Sequence, residues 1–264
     1  MAACYRIAAA PMKEYSGSKQ HQRAYWKFYF TREETIKMKD EAENINIQDG
    51  NSILVNSFRK AYPSIRGFNQ AIFDDVRDNI MSNHTLLQTV DTLRSNDHST
   101  WSHSVNTAWL ALAIGAAINA DRKTLYDLGT GALLHDIGKL LIKRNIIDKA
   151  ERLTQNEYFE VMQHAFRGYQ YLCKNCVIPE QSRLIALQHH EKYDGSGYPY
   201  GIKKNNISLI SRITSVADVY EALTSDRVYR KAVSPSEAID FIRNNSGKVF
   251  DPEIVDIFCN RVST

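Results

Sequence analysis

Seven residues of this chain have the types and surroundings expected of metal ligands: His103, His135, Asp136, His164, His189, His190 and Asp218. Imidazole and carboxylate together suit divalent first-row cations. The chain has eight histidines, and the five named here stand in settings that look like ligand positions. His135-Asp136 follows the apolar LGTGALL, and His189-His190 closes the apolar SRLIALQ. His164 lies beside the stripe of Tyr158, Val161, Ala165 and Tyr169, while Asp218 is flanked by Val216, Ala217 and Val219, which implies burial. Read as the end of a helix, His135 and Asp136 point about 100° apart. They can then reach neighbouring cations, and a carboxylate with two oxygens can bridge a pair of them. Taken singly, a histidine beside a core is more often a hydrogen-bonded structural residue, and a buried aspartate is often paired with arginine. Spread over separate helical segments and helix ends, the set is harder to explain in that way.

Such ligands need a scaffold that aims side chains inward, and the apolar spacing from about residue 70 onward is that of helices. Ile72, Val76 and Ile80, then Leu86, Val90 and Leu93, then Val105, Trp109, Leu112 and Ala116 follow helical stripes, with no clear alternating runs. Thr154-Gln155-Asn156-Glu157 and Ser234-Pro235-Ser236-Glu237 read as capping boxes, the second with proline at the first helical position. Asp251-Pro252 marks another start, and Asn245-Ser246-Gly247 a stop just before it. The expected fold is an all-α helical bundle with short connections.

A longer motif joins these residues. His189-His190-Glu191-Lys192-Tyr193-Asp194-Gly195-Ser196-Gly197-Tyr198-Pro199 matches HHExxDGxGYP, and His135-Asp136-Ile137-Gly138-Lys139 matches HDxGK. The segments HSVNTAWLALAIG, LTQNEYFEVMQH, ADVYEALTSDRVYR and FDPEIV also stand in the matching order. On these residues the chain resembles the HD-GYP family of the HD superfamily of metal-dependent phosphohydrolases, from roughly residue 85 to the C-terminus. The resemblance implies a cyclic di-GMP phosphodiesterase of bacterial signalling, forming pGpG and then GMP. It implies one cation held by His103, His135, Asp136 and Asp218, and a second by Asp136, His164, His189 and His190, with iron the expected metal and manganese the alternative. Some members carry a third metal on a glutamate one turn before the first histidine. Here that position is Ser99, with Asp97 and His98 nearby, so two metals are expected.

The chemistry implied is hydrolytic. Two cations about 3.5 to 4 Å apart lower the pKa of a water between them and neutralise the phosphodiester during in-line attack. Asp136 would bridge the cations, and Lys139 would place a cation on a phosphate oxygen. By the same resemblance Arg227 and Arg230 would bind phosphate, a reading favoured over surface pairing with acids such as Asp226. The loop of Asp194, Gly195, Gly197, Tyr198 and Pro199 suits a tight turn with positive φ at one or more positions, and Tyr198 could line the substrate cleft. In the family this loop is associated with docking to diguanylate cyclase (GGDEF) domains. Two other readings stay open: the same chemistry on 3′,3′-cyclic GMP-AMP or another phosphoester, and a catalytically silent nucleotide-binding scaffold.

Composition bounds the rest. A chain of 264 residues, 43% hydrophobic and 24% charged, holds one sizeable core and a smaller piece, expected as residues 1-75 and 76-264. No stretch approaches the ~20 apolar residues of a membrane span. The opening MAACYRIAAAPM is a poor signal peptide, and four cysteines are no disulfide framework, so a cytoplasmic location is expected. Cys173 and Cys176 form a lone CxxC at the end of a helix, with only Cys4 and Cys259 available as further ligands. That favours an incidental pair. A net charge of +3 does not indicate a nucleic-acid polymer as partner. Aromatic and basic residues are interleaved in the first piece, from Lys13 and Tyr15 to Arg32, a pattern more often a packing surface than a single-strand binder. A role for that piece as sensor, homodimer contact or cap is left open by the sequence.

Overall fold

The computed structural model describes residues 70–175, 177–226 and 231–262. The interleaved aromatic and basic segment, Cys4, Cys176, Arg227 and Arg230 lie outside the described residues. The first described helix begins at Gln70, a few residues before the boundary expected near 75.

The described residues are all helical apart from turns and one isolated bridge between Ser246 and Phe250. In chain order the helices are α1 (Gln70–Ser82), α2 (His84–Asn96), α3 (His98–Ala117), α4 (Arg122–Leu133), a 3-10 segment (Ile137–Leu141) and α5 (Arg144–Ile147). There follow α6 (Gln155–Met162), α7 (His164–Asn175), α8 (Glu180–Gln188), a 3-10 turn (Lys204–Asn206), α9 (Leu209–Thr224), α10 (Pro235–Asn244) and α11 (Pro252–Ile257), which runs into a π turn (Phe258–Val262).

Helix α3 is apolar on almost every side and is buried from Thr100 to Gly115 apart from Ser102, which is half-buried. Such a helix has to lie at the centre of a bundle. It packs against α4 and α9, while α4 also packs on α8 and α7 packs on both α8 and the first 3-10 segment. Leu110, Ile114, Leu128, Leu134, Ile137, Ile185, Ile213, Val216 and Phe258 are among the side chains that close the main core. The stripes read from the sequence point into it, with Val76, Ile80, Leu86, Val90 and Leu93 all buried.

The expected caps form. Thr154 and Ser234 each accept from the backbone N–H three residues on, and Glu157 and Glu237 reach back to their N-cap amides. Asp251 caps α11 through Glu253 N–H, and Gly247 takes a positive φ of 76° just past the end of α10. Two helices end just before the histidines. Helix α4 stops at Leu133, so His135 and Asp136 lie in a turn held by Ile137 N–H to Leu134 O and Lys139 N–H to Asp136 O. The helix begun at Thr154 stops at Met162, and His164 opens a separate helix after Gln163. Both breaks change how the histidines are held.

Candidate metal centre

The site sits where α3, the α4 exit, the α6–α7 break, the α8 exit and α9 meet. His103, His135, Asp136, His164, His189 and Asp218 are all buried at the meeting point, and His190 borders it. Two groups of potential ligand atoms are close enough to hold an ion: His103, His135 and Asp136, and Asp136, His164, His189 and His190. Asp136 belongs to both. Its Oδ2 lies 3.3 Å from His135 Nε2 and 3.7 Å from His103 Nε2, while its Oδ1 lies 3.3 Å from His164 Nε2 and 3.8 Å from His189 Nε2. Asp218 Oδ1 closes the first group at 2.9 Å from His103 Nε2 and 3.8 Å from His135 Nε2.

The turn at His135-Asp136 makes this division possible. Leu134 (φ −109°, ψ 6°) and Asp136 (φ −100°, ψ 7°) occupy the bridge region, where the chain leaves α4 without continuing its spiral. Both side chains then face the same interior point instead of diverging by a helical 100°. The turn packs on α7 at Gly138: a Cβ there would overlap the His164 carbonyl oxygen and lie 2.6 Å from Gly168 N.

Three imidazoles are oriented by helix ends. His135 Nδ1 donates to Ala132 O at 2.7 Å, His164 Nδ1 to Val161 O at 2.6 Å, and His189 Nδ1 to Ile185 O at 2.9 Å. Carbonyls of a helix's last turn are less fully committed to the helix, so each break supplies an acceptor with a lone pair to spare for its histidine. With the proton fixed on Nδ1, each Nε2 offers a lone pair to the centre. His164 Nε2 and His189 Nε2 then face one another 3.3 Å apart, two lone pairs with no proton between them. Buried Asp136 Oδ1, His135 Nε2 and His190 Nε2 likewise have no hydrogen-bond partner. Divalent cations, one in each group, would give every one of these atoms a partner, so the donor set fits metal binding.

The protonation states agree with that fit. Burial pushes the imidazoles down, His164 to about 4, His189 to about 3 and His190 well below its usual value, so they are neutral at pH 7. Burial alone would raise the Asp136 carboxyl, but Lys139, His135 and His164 beside it outweigh burial and hold it well below the usual range. Asp218 is lowered in the same way against the pull of burial, chiefly by its hydrogen bond to His103.

A pH dependence of stability follows for the chain stripped of metal. Unfolded imidazoles protonate near pH 6.5, whereas folded ones stay neutral far below it, so the unfolded state binds more protons as pH falls. The histidine contribution is complete above pH 6.5 and drains on acidification. Glu191 opposes it: burial lifts its carboxyl to about 7, so its contribution is complete below about 4.5 and is lost as pH rises through 7. Three histidines stand against one glutamate. The melting temperature of the chelator-treated chain is expected to fall from pH 6.5 to 4.5, and a rise across that window would contradict the neutral, buried imidazoles.

The remaining motif residues surround the centre. Lys139 is buried and its Nζ donates to Asp136 Oδ2. Tyr198 is 7% exposed and packs against His190, ring centroids 4.7 Å apart, with Met162 and Ala165 beside it. The ring therefore stands behind the histidine. Gly195 takes a positive φ of 84°, Tyr198-Pro199 is cis, and Asp194 Oδ1 accepts from Ser196 N–H at 2.8 Å. At Gly197 a Cβ would overlap the backbone of His190 and Lys192, so the loop folds directly onto the ligand pair. Glu191 ties the loop from beneath by accepting Tyr200 N–H at 2.7 Å. Near the third-metal position, Asp97 is engaged as the N-cap of α3 through Thr100 N–H and Oγ1, and His98 is exposed. Cys173 is exposed near the C-terminal end of α7, and Cys259 is buried.

One residue was not singled out from the sequence. Glu221, buried on α9 one turn beyond Asp218, hydrogen-bonds His103 Nδ1 through Oε2. A carboxylate three residues from a buried aspartate, on the same face of an apolar helix, was the available signal.

The chain is similar to known proteins in family and in fold. A family model described as HD domain matches residues 82–254. A cyclic di-GMP phosphodiesterase of Pseudomonas aeruginosa is 32% identical over 191 residues, covering 72% of this chain and 46% of the relative. A 3′3′-cGAMP-specific phosphodiesterase of Vibrio cholerae is 40% identical over 126 residues, covering 48% of this chain and 27% of the relative. The chain thus spans less than half the length of these curated relatives. Among solved structures, an HDG"Y"P protein from Bdellovibrio bacteriovorus shares the fold with a TM-score of 0.52 at 19% identity, covering 81% of this chain and 64% of that one. Among the described residues no helix is long and apolar enough to cross a membrane.

Proposed function

The chain belongs to the HD domain family, in its HD-GYP branch, and from that premise we propose that it hydrolyses cyclic di-GMP to pGpG, and onward to GMP, with two divalent cations at the histidine–aspartate centre. The observation that carries this reading is the division of Asp136: one oxygen faces His103 and His135, the other His164 and His189. A carboxylate shared in that way supports a pair of cations, one bounded by His103, His135, Asp136 and Asp218, the other by Asp136, His164, His189 and His190. When bound, iron or manganese supplies Lewis acidity that lowers the pKa of water and neutralises the phosphodiester.

The chain's own residues do the rest. Asp136 fixes the spacing of the two positions, and the neutral imidazoles keep their lone pairs inward. Lys139, already held beside Asp136, is placed to turn its ammonium to a phosphate oxygen. Tyr198 holds His190 from behind, while Arg227 and Arg230 would contact the nucleotide. In this reading the catalytic body is residues 76-264, entered through α1 from Gln70. GGDEF domains are proposed as partners for the Gly197-Tyr198-Pro199 loop, and a homodimer and a cytoplasmic location belong to the same reading.

Cyclic GMP-AMP is the second substrate to weigh, because a relative specific for it matches this chain at 40% identity. Ligand atoms alone see only phosphate. The deciding experiment is turnover of cyclic di-GMP and 3′,3′-cyclic GMP-AMP, side by side, by chain reconstituted anaerobically with iron or manganese. Faster linearisation of cyclic di-GMP is expected. Preference for the mixed dinucleotide would move the substrate, and uptake of metal without turnover of either would remove the catalytic reading.

A further inference from the structure

The four imidazoles that turn Nε2 inward with a defined Nδ1 partner are not anchored alike. His135, His164 and His189 each follow the end of a helix and use a carbonyl of its last turn. His103 cannot. It lies inside the unbroken helix α3, where the carbonyl one turn back belongs to the helix itself. Its Nδ1 is met instead by the carboxylate of Glu221, with Thr107 Oγ1 more distant at 3.5 Å.

Glu221 is itself fixed. Its Oε1 accepts from Asn106 Nδ2 at 3.2 Å and from Ser225 Oγ at 2.7 Å, which turns Oε2 to His103. The side chain is 2% exposed, so water competes little for either oxygen. A carboxylate behind a ligating imidazole locks the ring and makes Nε2 a stronger donor than a neutral carbonyl does.

The charge around the two cation positions is correspondingly uneven. Asp136, Asp218 and Glu221 surround the position of His103 and His135, whereas among the described residues His164, His189 and His190 share a ligand group with one carboxylate, Asp136. Lys139 on Asp136 Oδ2 offsets one of the three carboxylates and leaves the imbalance standing.

We propose that Glu221 is a positioning residue for His103 and that it makes the two cation positions unequal, so that the position of His103, His135, Asp136 and Asp218 fills first and holds its ion more tightly. This rests on the two-cation reading above and adds an order of loading to it. Cations in limiting supply would occupy the carboxylate-rich position and leave the imidazole-rich one to be filled last, which makes the second position the one that responds to metal availability.

The test is a calorimetric titration of the metal-stripped full chain with Mn2+ under anaerobic conditions, with electron paramagnetic resonance reporting whether bound ions are single or paired. Wild type is expected to bind in two steps, with isolated-ion spectra first and a coupled pair later. Glu221→Gln is expected to weaken the first step by about 10- to 100-fold and leave the second unchanged, and Glu221→Asp to recover part of the loss. Equal weakening of both steps, or of neither, would overturn the proposal. Should Glu221→Gln not fold, Ser225→Ala removes one donor from Oε1 while keeping the carboxylate; it is expected to weaken the first step by less, and an unchanged first step would overturn the proposal equally. Wild-type chain that binds no Mn2+ would instead remove the two-cation reading.

Discussion

Replacing Asp136 by asparagine is expected to reduce turnover of the cyclic dinucleotide by at least about a thousandfold, because both cation positions lose a shared ligand at once. Asparagine has nearly the same shape, so the loss isolates charge and donor type. Its amide NH2 would point a donor at one histidine pair, and only one oxygen would remain for the other. Lys139 would also lose the anion it now faces in a buried setting. Breaking a buried pair costs about 3 to 5 kcal/mol, so the melting curve of the metal-free variant has to be recorded beside its activity. The combined result expected is a chain that folds less stably and takes up less than one metal ion. Near-normal turnover with two bound metals would remove Asp136 as the shared ligand.

Gly138→Ala is expected to have the largest effect on stability of any single methyl added to this site. Its Cβ would overlap the His164 carbonyl oxygen and press on Gly168 N, both of them backbone atoms that cannot rotate away. Overpacking of this kind typically costs about 1 to 3 kcal/mol, and more where backbone must move. Relief requires α7 to shift off the turn, and α7 begins with His164. Urea unfolding is therefore expected to show a loss of about 3 kcal/mol or more, together with weaker metal uptake. Gly168→Ala provides the control, since its Cβ would come no closer than 3.1 Å to Gly138 N. It should be the milder of the two, and the reverse ranking would mean that the turn and helix are not packed in this manner.

Much of the bundle was legible because its signals are local. The Thr154 and Ser234 capping boxes, the Asp251-Pro252 start and the apolar stripes of α1 to α3 depend on residues three or four apart. The helix breaks at Leu134 and Gln163 were not legible, because they carry neither glycine nor proline. They are imposed by long-range packing that draws Gly138 against α7 and by the carbonyls that the histidines take up. The buried histidines and aspartates could be picked out by type and setting, yet their convergence joins residues as distant as 103 and 218, which spacing alone does not report. Glu221 was missed for a related reason: its meaning lies in the partner it meets across 118 positions of chain.

The way the imidazoles are held also sets the sign of the field at the centre. Helix exits at α4, α6 and α8 turn their negative poles toward one point, and Asp136, Asp218 and Glu221 add full charges there. If the chain acts on an anionic dinucleotide as proposed, that pole repels it until cations have reversed the sign, and binding of the nucleotide to metal-stripped chain is expected to be weak.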